Sequence, residues 1–291
     1  MSLLHDILVS MRPRQWIKNF FVLAALVFSR HLSDSPFVLR SLAAFVLFCG
    51  LSSGAYLIND VLDRKRDILH PLKRHRPVAS GRLPIGAAIF TGVFLLLTST
   101  VWAFFLSLPL GWVALSYLVV SMTYSLILKK IVIIDVMIIA LGFLLRAVGG
   151  AVVIDVAISS WFVLCTVMLS LFLGFVKRRH ELSTLDTGAA EHREALNDYN
   201  LSFLDQMIAV TTSSSLVCYA LYTMSPEVTA KLGTHRLDLT IPFVLYGILR
   251  YLYIAYGKGR GGSPAADLLD DAPLLIDLAL WILTAGLVLY W

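Results

Sequence analysis

The sequence predicts an all-α, polytopic membrane protein: nine transmembrane helices forming a single domain over residues 1–291, with the N-terminus cytoplasmic. Three observations lead there. Of 291 residues, 58% are hydrophobic and only 15% charged, and the mean hydropathy is +0.80, far from the balance of a soluble domain. Several apolar runs approach or exceed the roughly 20 residues needed to cross a bilayer core. Lysine and arginine divide very unevenly between the segments that connect those runs.

In chain order the expected helices are 17–33, 37–61, 85–107, 109–128, 132–151, 159–181, 203–224, 240–257 and 271–291. The stretch before the first, MSLLHDILVSMRPRQW, is short and mixed, unlike a removable secretory leader. The second run, FVLFCGLSSGAYLI, leads into NDVLDRKRD; a short SLPLG separates the third from the fourth, and the Gly-rich GKGRGGSPAAD precedes the ninth. Helices are required because lipid offers no partner to open backbone groups. With the N-terminus inside, 18 of the 24 Lys and Arg fall in inside segments, against four outside (Arg30, Arg40, Lys231, Arg236) and two deep in helices (Arg146, Arg250). The inside set includes Arg12, Arg14, Lys129, Lys130, Arg193, Lys258 and Arg260. That asymmetry fixes the orientation by the positive-inside rule. Trp102, Trp112, Trp161 and Trp291 fall near outer helix ends, as an aromatic belt would. Cys49, Cys165 and Cys218 lie in apolar runs without metal-type spacing and read as core filler.

The unusual chemistry sits on the inside. Asp60, Asp63 and Asp67 are spaced by three and four, with Asn59 four before Asp63, so on a continuing helix they share a face. Three crowded carboxylates repel and call for something positive among them. Hard oxygen ligands of this kind suit Mg²⁺, which binds through a few carboxylates, waters and substrate phosphates; the competing account is a solvated helix end neutralised by Arg64, Lys65 and Arg66. The next segment, HPLKRHRPVASG, offers Lys73, Arg74 and Arg76 around two prolines, suited to phosphate oxygens or simply to a cytoplasmic loop. The same alternatives apply to Lys129–Lys130 and to KRR at 177–179. Convergence favours the site, since five helix ends would surround one inner vestibule with cations and metal ligands.

NDVLDRKRD fits the NDxxDxxxD pattern and resembles the first motif of the UbiA superfamily of intramembrane prenyltransferases, and HPLKRHRPVASGRL and YSLILKKIVIIDVMIIALGFLLRAVGG resemble segments that follow it there. MRPRQWIKNFFV, KRRHEL and ILRYLYIAYGKGRGGSPAADLLDDAPL are similar to the decaprenyl-phosphate phosphoribosyltransferase branch. The likeness runs over essentially the whole chain. One departure bears on chemistry: where the superfamily carries a second Asp-rich motif on the sixth helix, this chain reads FVKRRHEL, with Glu181 as the only acid. A cation-rich helix suits an extra phosphate better than a second metal.

The resemblance implies transfer of a phosphoribosyl group from 5-phosphoribosyl 1-diphosphate to a polyprenyl phosphate, with Mg²⁺ on the departing diphosphate. It implies Asp60, Asp63 and Asp67 as metal ligands and Asn59 as their orienting neighbour. Lys73, Arg74, Arg76, Tyr124 and Lys129 would contact the donor diphosphate. Lys177, Arg178, Arg179 and Glu181 would take the 5-phosphate and ribose hydroxyls, and Lys18, with Arg12 and Arg14, the lipid phosphate. The partners are then these two substrates in the cytoplasmic membrane, with the site facing the cytoplasm and no role for nucleic acid; a homo-oligomer is compatible with the sequence. The competing enzyme reading moves an isoprenoid from its diphosphate to an aromatic acceptor, with Glu181 as a degenerate second motif. A transporter is disfavoured because no inverted repeat or pair of broken apolar segments is visible. Arg146 calls for a functional or paired role, Asp135 for the active site or a helix cap, and Arg250 is expected to pair with Asp277.

Overall fold

The computed structural model describes residues 2–69, 71, 73–184, 196 and 198–291, and all regular structure among them is helical. In chain order these are α1 (Leu3–Met11), a 3₁₀ segment (Pro13–Leu23), α2 (Ala24–Phe28), α3 (Ser35–Leu62), α4 (Arg64–Leu69), α5 (Ile85–Leu106), α6 (Leu108–Leu126), a 3₁₀ turn (Leu128–Lys130), α7 (Ile134–Val152) and α8 (Ser160–Thr184). There follow α9 (Leu201–Met224), α10 (Pro226–Leu232), α11 (Ile241–Gly257), α12 (Pro264–Asp270) and α13 (Ala272–Tyr290). Among the described residues, eight helical stretches are long and apolar enough to cross a membrane: α3, α5 to α9, Arg236–Gly257 and α13. They coincide with eight of the expected spans. Arg193 of the inside cations lies outside the described residues.

The first expected helix takes a different form. Instead of a continuous α-helix over 17–33, the chain runs as 3₁₀ from Pro13 to Leu23 and closes with the short α2. Tertiary contacts account for it. With three residues per turn, Trp16, Asn19 and Val22 fall on one edge. Trp16 Nε1 donates to Ser53 Oγ at 3.0 Å, Asn19 Nδ2 lies 3.2 Å from both Ser52 Oγ and Cys49 Sγ, and Val22 is fully buried. Val22 passes so close to Gly150 that a Cβ there would lie 1.8 Å from the Val22 carbonyl oxygen. At about 2.0 Å of rise per residue the 3₁₀ segment extends roughly 22 Å, and α2 brings the total to about 30 Å, the thickness of a hydrocarbon core.

Helix α3 packs on α5 and α6, α7 joins α8 to the 3₁₀ segment, and α8 lies along α9. One core gathers Val22, Phe48, Leu51, Leu110 and Tyr117 in the first half of the bundle. A second gathers Val136, Phe172, Phe175, Leu204 and Ile254 in the other half. Trp102 and Trp112 are exposed near the ends of α5 and α6 remote from Asp60. The three cysteines are free.

Arg146 is buried within α7 and fully engaged: Nε donates to Asn19 Oδ1 (2.8 Å), Nη1 to the Gly142 carbonyl (2.8 Å) and Nη2 to the Tyr117 hydroxyl (2.7 Å). Neutral oxygens thus solvate a charge that lipid would not. Arg250 does not pair with Asp277. Its Nε and Nη2 donate to both oxygens of Asp271, each at 3.0 Å, and Lys258 Nζ reaches Asp271 Oδ2 at 3.0 Å. The long side chain runs toward the polar helix end, as arginines in membranes do. There Asp271 also caps α13 by accepting from the Leu274 N–H. These bonds, those from Arg250 foremost, hold the Asp271 carboxyl well below the ordinary carboxylate range.

Candidate active site

Helix α3 ends at Leu62, with Asp63 at its C-cap, and α4 resumes at Arg64, so the acidic stripe crosses a helix junction and not one continuous helix. The i to i+4 bonding nevertheless continues through it: Asp63 N donates to the Asn59 carbonyl and Asp67 N to the Asp63 carbonyl, both at 2.9 Å. The stripe therefore keeps its shared face. Asp60 and Asp67 are almost wholly buried, while Asp63 is 21% exposed.

Cations attend all three. Arg12, at the left-handed turn after α1, bonds Asp60 through Nη2. Arg76 Nη1 sits between Asp60 Oδ1 (3.1 Å) and Asp67 Oδ2 (2.7 Å). Lys129 Nζ lies 2.5 Å from Asp63 Oδ1, and Asn59 Nδ2 donates to Asp63 Oδ2 at 3.0 Å. The neutralising groups thus come from distant segments, whereas Arg64 is turned to the Val78 carbonyl (3.3 Å). Of the cations expected to contact a donor, Arg76 and Lys129 lie against the aspartates, and Lys73 and Arg74 lie in the partly exposed turn leading to Arg76.

The donor set fits a small hard cation. A single guanidinium nitrogen already bridges two carboxylate oxygens, and all ligands are oxygens of the kind Mg²⁺ prefers. No cluster of three metal-ligating side chains is preassembled among the described residues.

The opposite wall is α8. Its cations point different ways, as successive helix positions must. Arg178 has 0% exposed side chain: Nε donates to Asp135 Oδ2 (2.6 Å), Nη1 bonds Glu181, and Nη2 lies 3.4 Å from the Tyr124 hydroxyl. Its guanidinium is thus engaged by the buried Asp135 and the partly exposed Glu181, in contrast to a cation standing open in the mouth. Arg179 turns to Asp205 (2.5 Å) and stacks 4.1 Å over the Tyr256 ring. Lys177 and Glu181 remain partly exposed, 3.9 Å apart. Asp135, in the first turn of α7, anchors Arg178 while accepting from the Tyr199 hydroxyl at 2.8 Å. Burial and that neighbouring carboxylate push the Tyr199 phenol up, which keeps its proton available for donation.

Lys18 points inward beside Arg146 and Arg12, and among the described residues it makes no hydrogen bond or ion pair. Arg14 faces away, to Asp270 (3.1 Å). Sequence reasoning missed the Arg12–Asp60 pair and Tyr199. The first was hidden by a turn whose αL geometry no motif announces, the second by a lone tyrosine in an irregular connection.

Comparison with known proteins bears on the family and the fold. Residues 19–180 match the model of the UbiA prenyltransferase family. The chain is 35% identical to the decaprenyl-phosphate phosphoribosyltransferase of Mycolicibacterium smegmatis, covering 100% of this chain and 94% of that one. It is 33% identical to the Mycobacterium tuberculosis protein of the same name, covering 98% and 94%. Among solved structures, a UbiA homolog from Archaeoglobus fulgidus bound to GPP and Mg²⁺ superposes with a TM-score of 0.72 over 98% of this chain and 100% of that one, at 18% identity. On the family match and the near-full-length likeness together, this chain belongs to the UbiA prenyltransferase family.

Proposed function

We propose that the protein transfers the 5-phosphoribosyl group of 5-phosphoribosyl 1-diphosphate to a polyprenyl phosphate, releasing diphosphate. The observation that carries this reading is the near-full-length likeness to enzymes of that name. The α8 sequence agrees with it, because Lys177, Arg178 and Arg179 stand with Glu181 as the only acid where a second Asp-rich motif would otherwise be expected. The charged mouth faces the cytoplasm, in keeping with its cations.

Asp60, Asp63 and Asp67 would hold Mg²⁺, with Asn59 fixing the Asp63 carboxylate. When bound, the ion neutralises charge on the departing diphosphate. Arg76, Lys129, Lys73 and Arg74 supply cations to the same oxygens, and Tyr124 lines the space between the walls. Lys177, Arg179 and Glu181 serve the 5-phosphate and ribose hydroxyls, with Arg178 as the buried post that aims Glu181. Lys18, free of partners among the described residues and close to Arg146 and Arg12, is suited to the acceptor phosphate.

The bond from ribose C1 to the diphosphate oxygen breaks as a bond from C1 to an acceptor phosphate oxygen forms. The carbon takes on oxocarbenium character, as in glycosyl transfer generally. The acceptor oxygen is already anionic near neutral pH, so no proton has to move, and the catalytic work is positioning and electrostatics.

Purified protein with Mg²⁺ tests this. It is offered radiolabelled 5-phosphoribosyl 1-diphosphate with polyprenyl phosphate and, separately, a labelled prenyl diphosphate with 4-hydroxybenzoate. Label should enter lipid in the first mixture, vanish with EDTA, and vanish in Asp60→Asn or Asp63→Asn. Product in the second mixture alone would overturn the assignment, and activity surviving EDTA would remove the metal.

A further inference from the structure

The segment between α6 and α7 touches both walls of the site. Tyr124 meets Arg178, Lys129 meets Asp63, and Asp135 meets Arg178 again. Between Lys129 and Asp135 the backbone makes one abrupt move. Ile133 has φ 68° and ψ −49°, and the Ile134 N–H donates across it to the Val132 carbonyl at 2.7 Å, a three-residue γ-turn of the strained, positive-φ kind. A β-branched residue is poorly suited to that region. Its side chain does not compensate, being 39% exposed.

What holds the turn is the Tyr199 hydroxyl. It accepts from the Ile133 N–H at 2.7 Å and donates to Asp135 Oδ1 at 2.8 Å, while Asp135 Oδ2 receives Arg178. The tyrosine is itself buried, with its ring beside Phe203 at 6.0 Å between centroids. One oxygen therefore ties a strained backbone amide to the carboxylate that anchors the basic wall. The short 3₁₀ turn carries the same constraint back to Lys129, through bonds from Asp135 N to the Ile131 carbonyl (3.0 Å) and from Ile131 N to the Leu128 carbonyl (3.2 Å).

We propose that Tyr199 is a positioning residue whose hydroxyl holds the strained turn at Ile133 and so fixes the spacing between the Lys129–Asp63 wall and the Arg178–Glu181 wall. This rests on the reading above in which both walls grip one donor molecule. A donor with phosphates at two ends requires that spacing; an acceptor bound elsewhere does not.

The experiment is a cycle of Tyr199→Phe, Ile133→Gly and the double variant. Tyr199→Phe keeps the ring and deletes both hydroxyl bonds. It should raise KM for 5-phosphoribosyl 1-diphosphate by about tenfold, the scale of one buried hydrogen bond, while KM for polyprenyl phosphate stays within about twofold. Glycine adopts positive φ without strain, so Ile133→Gly in the Tyr199→Phe background should recover most of the lost donor affinity. Equal rises in both KM values, a fall in melting temperature alone, or a double variant no better than Tyr199→Phe would each overturn the proposal. Amide hydrogen exchange over 129–136 reads the turn without turnover: Tyr199→Phe should accelerate it. Unchanged protection would overturn the proposal whatever the substrate, whereas accelerated exchange in a protein that does not use this donor would place the failure in the substrate reading.

Discussion

Replacing Gly150 by alanine tests how the first segment is held. A Cβ at Gly150 would stand 1.8 Å from the Val22 carbonyl oxygen, 2.6 Å from its carbonyl carbon and 3.0 Å from its Cα. All three are backbone atoms, so no rotamer change relieves the contact, and ordinary packing needs α7 and the 3₁₀ segment to move about 1.5 Å further apart. Overpacking a core costs about 1–3 kcal/mol, occasionally more, and a backbone collision belongs at the top of that range, about 3 kcal/mol. At ~2–4 °C per kcal/mol the melting midpoint should fall by roughly 6–12 °C. The displacement also pulls Asn19 from Arg146 and shifts Lys18, so KM for the lipid acceptor should rise more than KM for the donor. Gly286 in α13 is the control, since nothing lies within 4 Å of a Cβ there. Gly286→Ala should be neutral or stabilise by about 0.5–1 kcal/mol. Thermal unfolding of the three proteins in one detergent, with steady-state kinetics, reads both effects. A Gly150→Ala protein melting within about 2 °C of wild type would refute the close approach and the reasoning built on it.

Arg178→Ala removes the guanidinium that bonds the buried Asp135 and should cost about 3–5 kcal/mol; adding Asp135→Asn should recover part of the lost melting temperature, and additive losses would show that the two do not form a unit. Asp271→Asn should alter the acid limb of stability. Because Arg250 and Lys258 depress its carboxyl in the folded state, the contribution is complete above the unfolded value near ~3.9 and is lost as pH falls through the folded one. Melting temperature should therefore drop more steeply below about pH 4 in wild type than in Asp271→Asn, and parallel curves would argue against the pair.

Hydropathy made eight spans readable because a bilayer leaves a long apolar run only one structure. It could not reveal that residues 13–23 are 3₁₀, since that departure is imposed by Ser52, Ser53, Cys49 and Gly150, which meet the segment only after folding. The aspartates were legible as a set from their three-and-four spacing. Their cations were not, because Arg12, Arg76 and Lys129 arrive from three separate connections. Helix spacing alone implies that the three cations of KRR cannot share one ligand, but not which of them is buried: the middle arginine lies against Asp135, and Lys177 stays in the opening. The Arg250 partner was misjudged because depth along the helices was matched without allowing for the reach of the side chain, which selects Asp271.

The 3₁₀ segment has a further consequence for how this part of the chain tolerates change in length. It is a three-edged strip: Trp16, Asn19 and Val22 form the edge on α3 and α7, Lys18 and Phe21 the edge toward the interior, and Ile17 and Phe20 fall on the third. A strip of this kind counts in threes. Losing or gaining one residue turns every edge by a third of a revolution: a loss sends Lys18 to the Ile17–Phe20 edge and Phe20 to the place of Asn19, a gain sends Asn19 to that outer edge and Lys18 to its place, while a change of three slides the same edges along their tracks. In an α-helix, at about 100° per residue, a change of three would leave the faces about 60° out of register, so constraint modulo three is particular to the 3₁₀ form.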